Sequence, residues 1–166
     1  MAGQPAPSDQ ESFARWVEPH FPILNRIVRW SVPVSSADDV VQDALLRAWD
    51  KRSLFDPSRG SPDAWLARIA LDQCAQQHRR SRRWERADRL ATTATTEPWP
   101  EVTNHLALRQ AISTLNTRQQ QAVVLYYFAD MTAQDVAQTL GRPVSTVRST
   151  LAAARLALKK TLGDQI

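Results

Sequence analysis

Apolar residues recur along this chain with the spacing of α-helices, in two blocks separated by a stretch without periodicity. In the first block one apolar face runs from Phe13 to about Val32, although Pro19 and Pro22 must bend or split that helix near its middle. A second helix is predicted from about Ala37 to Lys51 and a third from about Pro62 to Arg83, each with an apolar stripe. The first block is therefore predicted to fold as a small helical module.

The second block is also helical and begins near Val102. One helix is predicted to about Leu115, and the next opens at a capping box formed by Thr117 and Gln120. Between the blocks, the segment 85–104 is rich in threonine and proline and is typical of a tether. The fold class predicted is all-α, with two small helical domains joined by a flexible linker. The predicted boundaries are 1–10 for a disordered N-terminus, 11–84 for the first domain, 85–101 for the linker and 102–166 for the second domain.

Residues 132–151 have the pattern of two short helices hinged at a glycine. Thr132 and Asp135 form a capping box at the start of the first helix, and Gly141 supplies the left-handed residue that ends it. Apolar residues four apart give each helix an inward face (Val136 with Leu140, and Val147 with Leu151). This spacing is typical of a helix-turn-helix, whose second helix enters the DNA major groove. The alternative is an ordinary αα-hairpin without DNA contact.

The distribution of charge is more informative than its total. Lysine and arginine outnumber aspartate and glutamate by 21 to 17, an excess too small to establish nucleic-acid binding. Six arginines nevertheless fall among the twelve residues 78–89, more than a helix C-terminus requires, and phosphate contact is their predicted role. The loop 55–62 leads into a helix N-terminus and could hold a nucleotide, with a plain connector as the alternative. An enzyme is not expected, since no nucleophile–base pair or phosphate-cradling glycine loop is evident.

Cys74 is the only cysteine, so neither an intramolecular disulfide nor a cysteine-rich zinc site is possible. With His78 it forms an i, i+4 pair that could supply two metal ligands, but no further ligand has suitable spacing. No metal and no other cofactor is therefore predicted. The sequence has neither an apolar run of signal-peptide length at its start nor a transmembrane candidate. A cytoplasmic protein without membrane contact of its own is expected.

Together these motifs resemble one family, the extracytoplasmic-function (group 4) sigma factors, which are the smallest form of the bacterial RNA polymerase specificity subunit. Residues 38–49 resemble the helix that such proteins dock onto the polymerase clamp. Residues 55–70 are similar to the segment that melts the −10 element and captures an unstacked base. Residues 115–128, followed by 132–151, resemble the domain that reads the −35 element. A generic helix-turn-helix regulator would account only for the last of these.

The resemblance implies a protein that binds RNA polymerase core (clamp and flap), recognises promoter DNA at the −35 and −10 elements and helps to open it. An anti-sigma factor is a further expected partner. The polymerase contacts that it implies are Asp39, Gln42, Asp43, Leu46 and Arg47, although a polar helix flank is usually only solvated. The −10 contacts that it implies are Phe55, Arg59, Trp65, Arg68, Asp72, Gln73, Gln76, Gln77, Arg79, Arg80, Arg82 and Arg83. The −35 contacts that it implies are Arg118, Arg142, Ser145, Thr146, Arg148, Ser149, Ala152 and Arg155.

Two features depart from the family pattern. Asp72 stands where the family commonly has an asparagine that helps to hold the flipped base, and a carboxylate cannot donate as an amide does and repels phosphates. Thr150 and residues 152–154 stand where relatives often carry basic or histidine residues, which predicts weak −35 binding with a shallow salt dependence. Two alternatives therefore stay open. One is a sigma-like interaction protein that binds polymerase or an anti-sigma factor without melting a promoter, and the other is a stand-alone helix-turn-helix transcription regulator.

Overall fold

The computed structural model describes the backbone of residues 7, 9–88 and 100–163, and the side chains of residues 7, 9–83 and 107–163. Within these ranges every regular element is helical, as predicted. The first module contains α1 (Gln10–Val17), a 3₁₀ turn (Glu18–His20), α2 (Phe21–Ser31), α3 (Val34–Lys51), a second 3₁₀ turn (Arg52–Leu54) and α4 (Pro62–Asp88). The second module contains α5 (Pro100–Thr114), α6 (Thr117–Val123), a π-helical turn (Val124–Phe128), α7 (Ala133–Leu140) and α8 (Val144–Leu162).

The prolines divide the first predicted helix as expected. Pro19 lies in the 3₁₀ turn that separates α1 from α2, and Pro22 lies in the first turn of α2. Proline is tolerated at both places because neither position needs an intrahelical N–H donor. The core of the module is built mainly from α2, α3 and α4, which pack on one another. Its fully enclosed side chains are Leu24, Ile27, Val28, Ala37, Ala44, Ala48, Ala67 and Ala70.

Two predicted helix boundaries were wrong. α3 begins at Val34, three residues earlier than predicted, because Pro33 has an extended ψ of 148° and is followed directly by helical backbone. α4 continues past Arg83 to Asp88, since no proline or glycine interrupts it. Trp65, which lies on the apolar stripe of this helix, is only partly buried and packs at the edge of the core. The predicted extended tether falls largely on residues 89–99, which lie outside the described residues.

The helix-turn-helix in the second module forms as predicted. Asp135 donates its backbone N–H to the Thr132 hydroxyl at 3.2 Å and accepts the Thr132 N–H at 3.1 Å, and Gly141 ends α7 with φ 62°. The predicted capping box of α6 is displaced by one residue. Asn116 caps the helix, and its partner is Gln119. Asparagine is the stronger cap, which leaves Gln120 to donate to the carbonyls at the end of α5.

The π-helical turn was not foreseen, because a continuous apolar run does not reveal an i→i+5 hydrogen bond. The Ala129 N–H donates to the Val124 carbonyl at 3.0 Å and closes the wide turn. Asp130 follows with φ 54°, a left-handed conformation that is uncommon for a residue other than glycine. The turn places Phe128 against the first module.

In the described part of the chain, the two predicted helical modules pack against each other. The rings of Trp30 and Phe128 stack at 3.8 Å between centroids, and Arg26 pairs with Asp130 at 2.6 Å. The Arg109 guanidinium donates to the carbonyl of residue 32, and its burial at this contact lowers the pKa of Arg109. At the other end of the contact, Gln138 of α7 donates to a carbonyl in the loop that precedes α4. The buried apolar residues of both modules thus belong to one continuous core.

Candidate nucleic-acid interface

The loop 55–61 is held by its own polar groups. The carboxylate of Asp56 accepts hydrogen bonds from the Ser58 hydroxyl at 2.6 Å and from the Ser58 backbone N–H at 2.9 Å. These two hydrogen bonds lower the pKa of Asp56. The Arg59 N–H donates to the Asp56 carbonyl at 3.0 Å and completes a turn that leaves the Arg59 side chain exposed. The turn chemistry predicted for this loop is therefore what positions its cation.

The start of α4 is fixed from two directions. Within the chain, the Ser61 hydroxyl accepts the Ala64 N–H at 3.2 Å in the manner of an N-cap. From the first 3₁₀ turn, His20 Nδ1 lies 2.6 Å from Asp63 Oδ1, and both side chains are half-buried. The carboxylate lies in the first turn of α4, where the helix dipole favours negative charge. Since Trp65 follows in the same turn, these contacts determine where its indole lies.

An aromatic cluster supports the loop from below. Ring centroids lie 5.2 Å apart for Trp16 and Phe55, 5.4 Å for Phe55 and Trp65, and 6.1 Å for Trp16 and Trp65. Phe55 is only 6% exposed, so the structure places this predicted DNA contact inside the support of the loop. Trp65 keeps part of its surface open. Edge-to-face packing of this kind holds the rings in defined positions.

A cavity of about 350 Å³ lies beside the loop and brings four of the predicted −10 residues together, namely Phe55, Arg59, Trp65 and Arg68. Its walls include the partly exposed Trp65 and the exposed side chains of Arg59 and Arg68. The second module closes one side with Gln138 and Thr139, which the sequence did not indicate. The cavity therefore combines an aromatic face with two cations, which suits an unstacked base and its phosphates.

The remaining predicted −10 residues follow α4 away from the loop. Asp72 is exposed, and so are the four arginines in the arginine-rich part of the helix (Arg79, Arg80, Arg82 and Arg83). Arg80 lies 3.6 Å from Asp43 of α3. The glutamines differ from one another, because Gln76 and Gln77 are half-buried while Gln73 is only 8% exposed. The exposed arginines thus form a cationic strip beyond the loop cavity.

The predicted polymerase contacts lie on one exposed flank of α3. Asp39, Gln42, Leu46 and Arg47 are exposed, and Asp43 is half-buried. Leu46 is 62% exposed, which is unusual for a large apolar side chain. It borders an apolar groove whose other walls come from α1, α2 and α3 (Phe13, Val17, Phe21, Leu45 and Trp49). Sequence reasoning missed the part played by Phe21, although its position at a proline-broken helix end was a signal that it could stay exposed.

The predicted −35 residues share the outer face of the helix-turn-helix. Ser145, Arg148, Ser149, Ala152 and Arg155 are exposed along α8, and Thr146 is half-buried. Two arginines from outside α8, Arg118 and Arg142, line a small crevice beside it. Ala154 is fully buried, so its lack of charge serves packing against the rest of the module.

Both modules match known families. The model of Sigma-70 region 2 matches residues 16–85, and that of Sigma-70, region 4 matches residues 105–158. The RNA polymerase sigma factor CnrH of Cupriavidus metallidurans is 32% identical, over 98% of this chain and 92% of that protein. The ECF RNA polymerase sigma factor RpoE of Cereibacter sphaeroides is 29% identical, over 92% of this chain and 85% of that protein. The chain belongs to the extracytoplasmic-function sigma factors.

Solved sigma factor structures share the arrangement of this one. The structure of CnrH in complex with the cytosolic domain of CnrY has a TM-score of 0.75 and 26% identity, and covers 99% of this chain and 96% of that chain. RpoE of Bartonella quintana, in complex with the anti-sigma factor NepR, has a TM-score of 0.76 at 22% identity, over 95% of this chain and 100% of that chain. The latter likeness concerns the fold.

This sigma factor directs promoter-specific transcription initiation, and the family resemblance predicted from its sequence is confirmed. The contacts of individual residues and the domain boundaries stay predictions. In the described part of the chain, no helix is long and apolar enough to cross a membrane. The described residues likewise include no group of three or more acidic, histidine or cysteine side chains that could hold a metal ion.

Proposed function

We propose that three exposed surfaces of this sigma factor each make one of the contacts that transcription initiation requires. The apolar groove beside α3, with Leu46 at its edge, binds the clamp of the polymerase core. The loop 55–61 and α4 melt the −10 element, and the outer face of α8 reads the −35 element. The observation that carries the proposal is the cavity of about 350 Å³ that is lined by Trp65 together with the exposed side chains of Arg59 and Arg68.

Promoter melting needs a site that compensates an extruded base for the pairing and stacking interactions that it loses. Unpairing and unstacking one base costs a few kcal/mol, and stacking on an aromatic ring returns about 1–3 kcal/mol. The indole of Trp65 supplies such a ring, and the cluster beneath it keeps the ring in place before DNA arrives. Arg59 and Arg68 would hold the phosphates on either side. A surface that is already ordered spends little binding energy on ordering itself.

The second module would hold the promoter without supplying most of the affinity. Arg148 and Arg155 are the exposed cations of α8 nearest the predicted groove contacts, and the alanines between them add no charge. Because so few cations contact phosphates, the DNA affinity of this module should depend only weakly on salt concentration. Because both modules belong to one chain, each binding event raises the effective concentration of the other. Two weak modules can then act as one specific reader.

The test is transcription with purified core polymerase on a promoter duplex and on a template whose −10 region is pre-melted. Wild-type protein should give runoff transcript from both templates. Trp65→Ala should reduce the amount of runoff transcript about tenfold or more on the duplex template. The reduction on the pre-melted template should be much smaller, because that template needs no melting. Tyr127→Ala, an exposed aromatic residue of the second module, is the matched control. Core binding without any transcript would identify a sigma-like interaction protein, and neither activity would identify a stand-alone regulator.

We further propose that an anti-sigma factor holds this chain inactive in the cytoplasm. CnrH was solved with the cytosolic domain of CnrY, and a cleft of about 290 Å³ between the two modules of this chain offers an apolar surface for a partner of that kind. Its walls include Trp30 and Leu71 from the first module and Ile112 and Val124 from the second. A protein that co-purifies with the chain and blocks its binding to core polymerase would support this. A partner that binds equally well after Ile112→Glu would place the interface elsewhere.

A further inference from the structure

The short helix α1 and the 3₁₀ turn after it lie between the apolar groove beside α3 and the loop 55–61. This segment forms much of the groove wall, from Phe13 in α1 to Phe21 at the start of α2. Trp16 and His20 belong to the same segment but line neither the groove nor the loop cavity. Both contact residues that support the loop or the start of α4. One piece of the chain therefore reaches two of the proposed binding surfaces.

A continuous series of ring contacts runs from the groove to the loop. Ring centroids lie 5.3 Å apart for Phe13 and Trp49 in the groove wall, and 5.7 Å apart for Phe13 and Trp16. Trp16 in turn lies 5.2 Å from Phe55 and 6.1 Å from Trp65. Because packed side chains leave little free volume, a displacement of one ring must move its neighbours.

A polar contact joins the same two surfaces. His20 Nδ1 lies 2.6 Å from Asp63 Oδ1, and the His20 ring lies 5.9 Å from that of Trp16. Asp63 stands in the first turn of α4, two residues before Trp65. His20 directly precedes Phe21, which is 38% exposed in the groove wall. One side chain therefore connects the end of the groove to the start of α4.

α1 itself is held only by the contacts that it makes with its neighbours. It has eight residues, of which Phe13 and Val17 are buried. A helix this short is marginal in water on its own, so its position depends on tertiary packing. A partner that fills the groove adds contacts to Gln10, Ala14 and Glu18, which are exposed in the groove wall. Such contacts restrict the motion of α1 and of the side chains that it carries.

We propose that Trp16 and His20 are positioning residues for promoter melting, and that they fix Trp65 most firmly when the polymerase clamp fills the apolar groove. The inference rests on the proposed function, in which the clamp binds that groove and Trp65 stacks on an extruded base. Trp16 acts through its ring contact with Trp65, and His20 acts through Asp63. A ring that is fixed before the base arrives loses less freedom on binding it. Clamp binding and strand binding are then coupled, and each strengthens the other.

The experiment measures how tightly a single-stranded oligonucleotide with the −10 sequence binds to the full chain alone and to holoenzyme assembled with core polymerase. The ratio of the two affinities is determined for wild type, Trp16→Leu, His20→Ala and His20→Asn. Asparagine keeps a donor near the position of the histidine Nδ1. Arg29→Gln is the matched control, because it removes an ion pair of 2.8 Å between α2 and α3 and lines neither the groove nor the loop cavity. Only changes of the ratio between variants test the coupling, since any separation of the modules on core binding raises the ratio in every variant alike.

Trp16→Leu and His20→Ala should each lower the ratio about fivefold while changing core polymerase binding by less than about twofold. His20→Asn should restore most of the ratio, and Arg29→Gln should leave it unchanged. The His20 pair decides the question if Trp16→Leu does not fold. A substitution that weakens strand binding by the chain and by holoenzyme equally, or that changes neither, would overturn the inference alone. If Trp65→Ala left strand binding by holoenzyme unchanged, the proposed function would fall and this inference with it.

Discussion

Gly141 is the position at which a single methyl group should test the geometry of the helix-turn-helix. Its φ of 62° and ψ of 43° lie in the left-handed region, and a Cβ built there would meet no atom within 4 Å. The cost of Gly141→Ala is therefore conformational and not steric. Adopting this conformation costs alanine about 1–2 kcal/mol. Reduced freedom of the unfolded chain returns about 0.4–1 kcal/mol.

The net loss expected for Gly141→Ala is thus about 0.8 kcal/mol at the middle of both ranges, which at a urea m-value of about 2 kcal/mol/M lowers the unfolding midpoint by about 0.4 M. Urea unfolding followed by circular dichroism measures this. Gly141→Asn is the matched control, and it should lose less because asparagine tolerates the left-handed region. An alanine variant as stable as wild type, or an asparagine variant less stable than the alanine variant, would refute the reasoning.

Two further substitutions test a surface and a buried group. Leu46→Glu should weaken core polymerase binding about tenfold or more while leaving the melting temperature unchanged, because the side chain is 62% exposed. Val34→Glu, 68% exposed, is its control, and equal losses of core binding in both variants would remove Leu46 from the interface. Burial raises the pKa of Cys74 to about 12 from an ordinary value of 9.0. The folded protein therefore retains a proton that the unfolded chain releases above about pH 9, so the free energy of unfolding should fall as the pH rises from about 9 toward 12. Urea midpoints at pH 7.5 and pH 10 should differ more for wild type than for Cys74→Ala, and equal differences would contradict this account.

Local structure was largely predictable because its determinants are close in sequence. The capping box of α7 and the left-handed Gly141 depend on residues within one or two turns of each other. The one-residue error at α6 has the same origin, since Asn116 and Thr117 are adjacent residues that can both cap a helix. The end of α4 was missed because a dense run of arginines is equally compatible with a helix and with its C-terminus.

What the sequence could not provide are contacts between distant elements. The stacking of Trp30 on Phe128 depends on a π-helical turn that leaves no trace in the apolar pattern. Gln73 was predicted to contact DNA from its place on α4, but its burial depends on α3. His20 was not singled out as a site residue, because a lone histidine at a helix end is normally solvated. It matters only once the first 3₁₀ turn packs against α4 and brings the His20 ring to Asp63.

The side chain of Gln138 on α7 donates a hydrogen bond of 2.8 Å to the Arg59 carbonyl, so α7 covers one side of the loop 55–61. Gln138 also lies so close to Gly60 that a Cβ at that glycine would come within 3.2 Å of it. If the loop binds the −10 strand as proposed, that strand and α7 would compete for the same side of the loop. The measured affinity of the free protein for a −10 strand equals the affinity of the uncovered loop multiplied by the fraction of molecules in which α7 has withdrawn. A polymerase that holds the two modules apart would restore the full affinity without touching the loop.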